Sequence, residues 1–416
     1  MKFGLFYELQ LPKPYDADQW HDDQEHRIVK EALEQIELAD KLGFDYIFIV
    51  EHHFLEEYSH SSAPEVFLAA ASQRTKNIRL GHGIVLMPPP YNHPARVAER
   101  IAMLDLVSDG RVEFGTGESS SEMEMGGFGV RREEKKAMWE EATRECLRMM
   151  TEVPYPGYEG TYFAMPARNV IPKPLQKPHP PVWVAASRRE TTMVAARLGI
   201  GSLGFSFETA DEARERVTEY YRLIREECFP IGKAINPALA VLSVLSCFDS
   251  EEEAIAKGLE GAQFFSYSLG YYYSPFTGGA HKPGRVNLYR QFKDTPPEQR
   301  WGALAEWFRG FAGYRGGFGE EPQDEVGRAL WRAAQRGGCI GTPEFVRQTL
   351  LRYEEAHLDV MLFVAQCGAR KHEDIMDSLY RFGTKVLPEF KERHERHQRW
   401  RREQLAPVDY PIVSSI

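Results

Sequence analysis

The chain has 416 residues, 43% hydrophobic and 27% charged, an ordinary globular composition with room for one large domain or two smaller ones. Its 61 acidic residues against 51 basic ones give a formal net charge of −10, which favours solubility and argues against a nucleic-acid partner. No apolar run reaches membrane-span length, "MKFGLFYELQ" lacks the marks of a signal peptide, and the five scattered cysteines have no metal-ligand spacing, so a reduced cytoplasmic protein without a membrane partner is expected.

The first predicted strand is Phe3 to Phe6. A helix follows, with apolar residues at Ile28, Ala32, Ile36 and Ala39 and Gly43 just past its end. The second strand, Tyr46 to Val50, stops at Glu51-His52-His53, and "APEVFLAAASQR" is the next helix. "IRLGHGIVLMPPP" is a strand with a proline stop, and its Gly81 and Gly83 suit a flat ring lying against it. "HPARVAERIAMLDLVSDG" is helical and "RVEFGTG" is the fourth strand. The glycine-rich "FGTGESSSEMEMGGFG", with Gly117, would let backbone approach a planar ligand, although its spacing is not a dinucleotide fingerprint. A helix spans Glu133 to Thr151, and a proline-rich connection runs from Pro154 to Pro181.

The later strands are "VWVAAS", "GSLGFSF", "ALAVLSVLSCF" and "LDVMLFVAQ". Helices are expected at "RETTMVAARLG", from Asp211 to Cys228, and from Glu373 to Phe390. Between the seventh and eighth strands, residues 261–338 are too many for an ordinary connection. The segment is dense in Tyr and Phe with glycine pairs, as an active-site lid over an apolar ligand would be, and "EQRWGALAEWFRGFAGYRGG" within it reads as partly helical. The charged extension 391–416 suits a solvated helix or a dimer contact.

Eight strands, each followed by a helix, imply a parallel sheet, and this length suits a closed (β/α)₈ TIM barrel over residues 1–390. Barrel active sites sit at the C-terminal ends of the strands. Glu51, His52 and His53 occupy that address. Adjacent strand residues face opposite ways, so Glu51 and His53 share a face while His52 points elsewhere, which disfavours a shared metal. "HERH" at 394–397 also lacks zincin spacing. A neutral imidazole serving a bound molecule is the sharper reading, and two hydrogen-bonded structural histidines the plainer one. After "VWVAAS", Ser187, Arg188, Arg189 and Thr191 cluster at a helix start, where free N–H groups bind phosphate well.

Together these residues resemble the bacterial luciferase-like, flavin-dependent monooxygenases. The likeness lies in "MKFGLF", "GFDYIFIVEHHF", "IRLGHGIVLMPPPYNHPARVAERIAMLDLVSDGRVEFGTG", "PPVWVAASRRETTMVAARLG" and "CIGTPEFV". The resemblance implies FMN at the barrel mouth, with reduced FMN and O₂ giving a flavin C4a-peroxide that oxygenates an organic substrate. It also implies a separate NAD(P)H flavin reductase and a homodimer. His52, with Glu51, falls on the motif beside the flavin; Gly83-Ile84 falls where the family has a non-prolyl cis peptide. Ser187, Arg188 and Thr191 fall on the phosphate-binding helix start, and Lys136 where luciferases place a phosphate-binding arginine. Glu118 departs from an arginine common in relatives. The competing classes are a coenzyme F420 oxidoreductase transferring hydride and a non-catalytic flavin-binding protein.

Overall fold

Alternation along β1 (Lys2–Tyr7) sets the geometry. Phe3, Leu5 and Tyr7 pack outward in the cluster that lies beneath helices, whereas Phe6 belongs to the cluster inside a ring of strands. The computed structural model, which describes residues 1–204, 209–273, 284, 286–296, 338–413 and 415–416, carries this alternation around a closed barrel.

After α1 (Gln24–Leu42) come β2 (Tyr46–Ile49), α2 (Pro64–Ser72), β3 (Arg79–His82), the short β4 (Val85–Leu86) and α3 (Pro94–Val107). Next are β5 (Val112–Gly117), α4 (Glu122–Phe128) and α5 (Lys135–Thr151), then the β6–β7 hairpin (Tyr155–Glu159 and Ala164–Arg168). The chain continues through β8 (Val182–Ala186), α6 (Arg189–Arg197), β9 (Gly201–Gly204), α7 (Ala210–Glu227), β10 (Leu239–Cys247) and α8 (Glu251–Tyr273). It ends with α9 (Leu288–Asp294), β11 (Gly338–Gly341), α10 (Pro343–Glu355), β12 (Val360–Val364), α11 (His372–Lys385), α12 (Leu387–Glu392) and α13 (His394–Leu405).

Eight parallel strands close the barrel in the order β1, β2, β3, β5, β8, β9, β10, β12, and β12 returns to β1 with Lys2 opposite Val360. Its interior is filled by a few large rings set against glycines. A Cβ on Gly81 would lie 2.3 Å from the Phe48 ring, and one on Gly201 would lie 2.4 Å from Trp183. Among the described residues, the ring against Gly81 is that of Phe48, and Gly83 faces Phe6 and Phe48.

The structure departs from the sequence reading in several elements. The proline-rich connection holds the antiparallel hairpin β6–β7, and the glycine-rich loop after β5 holds α4. Residues 261–273, expected within a lid, continue α8, and β11 pairs with the C-terminal half of β10. Most of the remaining lid, including 274–283 and the 298–317 stretch read as partly helical, lies outside the described residues. The last barrel helix divides at Val386, because Pro388 cannot supply a helical N–H. No described helix is long and apolar enough to cross a membrane.

The extension is not simply solvated. One face of α13 buries His397, Arg401 and Leu405. Buried Asp359 accepts from Arg401 Nη1 at 2.7 Å, His397 Nε2 at 3.0 Å, the Tyr221 hydroxyl at 2.9 Å and Leu239 N–H at 2.8 Å. The final residues reach the barrel floor, where Lys2 Nζ and the Tyr46 hydroxyl both donate to the Ser415 carbonyl.

Candidate active site

The inward positions of β1 and β2 run out into charge at the C-terminal mouth. Phe6 faces inward, and two residues later Glu8 is wholly buried. Phe48 and Val50 face the same interior, and two residues later His52 follows. The period of two thus brings a carboxylate and an imidazole together above the packed barrel.

His52 is held at both nitrogens. Its Nδ1 lies 2.9 Å from Glu124 Oε1 on α4, so Nδ1–H donates there. Its Nε2 lies 3.2 Å from the Tyr273 hydroxyl, at the end of α8, and 3.6 Å from Glu8 Oε2. Glu124 is fully engaged, since Oε1 also accepts the His53 N–H at 3.0 Å and Oε2 accepts Ser119 Oγ–H at 3.0 Å. Glu8 Oε1 accepts the Tyr58 hydroxyl at 2.9 Å, while Oε2 is buried without a hydrogen-bond donor among the described residues. Burial pushes the Glu8 carboxyl up to about 7, against the lowering effect of His52. Burial alone would lower His52, but Glu124 and then Glu8 outweigh it and raise the imidazole to about 9.

Glu51 and His53 lie together, with His53 Nε2 3.2 Å from Glu51 Oε1. Glu51 also accepts Leu86 N–H and Asn92 Nδ2–H, each at 2.9 Å, so its oxygens tie β2 to the β4 segment. Gly83 and Ile84 bridge β3 and β4. The cis peptide expected between them is not found: the cis bonds among the described residues are three X–Pro bonds. Gly83 N–H instead donates to Ile49 O and Ile84 O accepts Glu51 N–H, which continues the ladder with β2. Ile84 covers Gly117, where a Cβ would lie 2.5 Å from its Cδ1.

The residues expected to bind phosphate gather around the start of α6. Arg188 is its N-cap residue, and Ser187 and Thr191 are half-buried beside it. Lys136 is exposed. One residue earlier, a rotation of about 100° on the helix, Lys135 turns inward. Its Nζ donates to Ser119 O at 2.5 Å and lies 3.2 Å from Glu118 Oε1. Burial lowers the Lys135 ammonium, Glu118 raises it, and Arg132 and Arg188 lower it again, so these cations share one neighbourhood. Glu118 faces Lys135, which offsets its charge in a place that would otherwise repel phosphate. Several cations and a helix start form a donor set that fits a phosphate.

Sequence reading missed Glu8, Glu124, Tyr273 and Lys135. The parity that finds His52 from Phe48 also finds Glu8 from Phe6. Nothing local marks Glu124 or Tyr273, because each reaches His52 from another element.

The family model described as luciferase-like monooxygenase matches residues 1–359. The flavin-dependent trigonelline monooxygenase, oxygenase component, of Acinetobacter baylyi is 28% identical over 273 residues, covering 64% of this chain and 71% of that protein. The chain spans about half the length of the first curated relatives it matches, 54% of one and 48% of another. Among solved structures, the oxygenating constituent of 3,6-diketocamphane monooxygenase from Pseudomonas putida, in complex with FMN, has a TM-score of 0.66 at 19% identity, covering 93% of this chain and 98% of that one. The coenzyme F420 dependent tetrahydromethanopterin reductase from Methanopyrus kandleri has a TM-score of 0.58 at 18% identity, covering 94% of this chain and 99% of that one. At these identities the two structures share the fold.

Proposed function

We propose, from the premise that this chain belongs to the luciferase-like monooxygenase family, that it is the oxygenating component of a two-component system. It takes reduced FMN from a separate NAD(P)H flavin reductase, uses O₂ and oxygenates an apolar organic substrate. The observation that carries this reading is the pairing, in one mouth, of a clamped imidazole with a cationic helix start. The relative named as an oxygenase component supports the separate reductase.

Lys135, Arg188, Ser187 and Thr191 would hold the FMN phosphate, and Gly83, Ile84 and Gly117 would border its ring. When bound, reduced FMN supplies the electrons and the O₂-reactive ring. The chain's own part is to orient, to exclude water and to move a proton. Nδ1–H on Glu124 fixes the imidazole plane, which leaves Nε2 to take or give a proton. Glu51 positions His53 and the β4 segment, and Tyr58 and Tyr273 wall the mouth with aromatic surface.

A coenzyme F420 oxidoreductase is the second reading, favoured by its shared barrel. One experiment separates the two. The chain is titrated with FMN, riboflavin and coenzyme F420, and O₂ uptake is followed with reduced FMN and an added flavin reductase. FMN bound more tightly than riboflavin, with O₂ consumed, supports the oxygenase. Equal affinity for FMN and riboflavin overturns the phosphate assignment, and selective binding of F420 without O₂ uptake replaces the reading.

A further inference from the structure

Glu8 has a buried carboxyl oxygen, Oε2, that no hydrogen-bond donor reaches among the described residues. Leaving a buried acceptor unmet is costly unless the group is protonated or a donor swings to it. The neighbouring donor is His52 Nε2, 3.6 Å away, and that same nitrogen also faces the Tyr273 hydroxyl at 3.2 Å. The other nitrogen is fixed by Glu124, itself saturated by the His53 amide and Ser119. The ring is thus a fixed pivot with one working nitrogen and two partners.

We infer that Glu8, His52 and Tyr273 form a proton relay in which the Glu8 carboxyl and the Tyr273 phenol are alternative partners of His52 Nε2. With the ring neutral, Nδ1–H donates to Glu124 and Nε2 accepts the Tyr273 O–H. When the bound molecule gives up a proton, its bond to that proton breaks with the electron pair left behind, and an Nε2–H bond forms. Nε2–H then turns to Glu8 Oε2. There N–H breaks and O–H forms, which restores the neutral ring and stores the proton as a carboxylic acid. Nothing is oxidised or reduced. The ionisable groups around the ring are Glu8 after β1, Glu51 and Tyr58 in the segment after β2, Glu124 on α4 and Tyr273 on α8. The raised Glu8 carboxyl and raised His52 imidazole agree with a proton shared near neutrality. Tyr273 comes from the elongated α8, so the connection after β10 contributes a partner of Nε2.

The inference rests on the oxygenase reading only for the identity of the bound molecule; the relay belongs to the chain alone. It is tested on the full ligand-free chain. Infrared difference spectra are taken through a pH titration of wild type, Glu8→Gln and Glu8→Asp, and ¹⁵N spectra of the histidine rings are assigned with His52→Gln. The expected result is a protonated-carboxyl band titrating near neutrality, lost in Glu8→Gln and shifted in Glu8→Asp. The His52 midpoint in Glu8→Gln should fall by on the order of one pH unit. Tyr273→Phe should leave the carboxyl band and move the Nε2 resonance. Should Glu8→Gln fail to fold, Glu8→Asp and the wild-type spectra still decide. No carboxyl titrating near neutrality, or one indifferent to position 8, overturns the relay, and an unmoved Nε2 resonance in Tyr273→Phe removes Tyr273 from it. FMN binding is a separate readout: its failure sinks the oxygenase reading and leaves these titrations unchanged.

Discussion

His52 and His53 differ by one position and one face, and the variants at their neighbours should differ in kind. His52→Ala should retain FMN affinity and lose turnover by ~10²–10⁴-fold, the usual contribution of a positioned acid–base group. Single-turnover product yield with reduced FMN and O₂ measures it, and normal yield would leave β2 as scaffold. Glu51→Gln acts on the support instead. It replaces an acceptor of Leu86 N–H, Asn92 and His53 by an amide that can satisfy fewer of them. The expected loss is about 1–3 kcal/mol of stability by urea unfolding. The proposed phosphate end offers a second contrast. Lys135→Ala should weaken FMN by about ten-fold with little effect on riboflavin, as loss of one charge-assisted contact does. Lys136→Ala, on the exposed side of the same turn, should leave both affinities unchanged in a fluorescence titration.

At the scale of elements, α13 tests whether the extension is part of the barrel. Arg401→Ala would leave Asp359 buried among His397, Tyr221 and Leu239 N–H without its guanidinium. Removing one partner of a buried ion pair costs about 3–5 kcal/mol. A urea midpoint unchanged from wild type would show that α13 docks without this pair. The sequence showed the eight barrel strands because each is a short apolar run between punctuating residues, and it showed the helix starts where proline or a capping residue marks them. It hid α4, whose Gly126 and Gly127 oppose helix by propensity. The helix is held by the Ser121 cap, by burial of Met125 against Met138 and by Glu124 reaching His52. It hid the β6–β7 hairpin because Pro156 and Pro166 read as breakers, although a two-stranded sheet has only edges, where proline is tolerated. In the site, His52 and Ser187 were legible as strand ends. Lys135 was not told from Lys136, since only the helix phase decides which faces the loop.

For the whole molecule, burial sets the response to acid. Burial lowers His60, His82, His179, His357, His394 and His397, with His82 at about 4 and His394 at about 3. Their folded values lie below the ordinary 6.5, so their contribution is complete above that value and is lost as pH falls through the folded ones. Asp359, held at about 2 by Arg401 and His397 against the raising effect of burial, loses its contribution at still lower pH. Glu8 runs the other way: its contribution is complete below 4.5 and is lost as pH rises through about 7. Glu31 and Glu57, also raised by burial, run with Glu8, while His52, raised above 6.5, keeps its full contribution below that value. Three raised carboxyls against six lowered histidines leave the sum falling with acid below about 6.5. The urea midpoint should drop as pH decreases from about 6.5, and His82→Leu should flatten that limb. A midpoint that rises over the same range would contradict the neutral burial of these rings.

The pairing of β1 with β12 also has a consequence in time. Lys2 faces Val360, and Leu5 faces Phe363, across some 350 residues of intervening chain. During synthesis at roughly 5–20 residues per second, β1 waits on the order of tens of seconds for its second neighbour. Until then an apolar strand keeps one hydrogen-bonding edge open, a surface that other chains can add to. A nascent chain stalled before residue 360 therefore exposes that edge with no partner for it, and its expected fate is capture by a chaperone or aggregation rather than a half-active barrel.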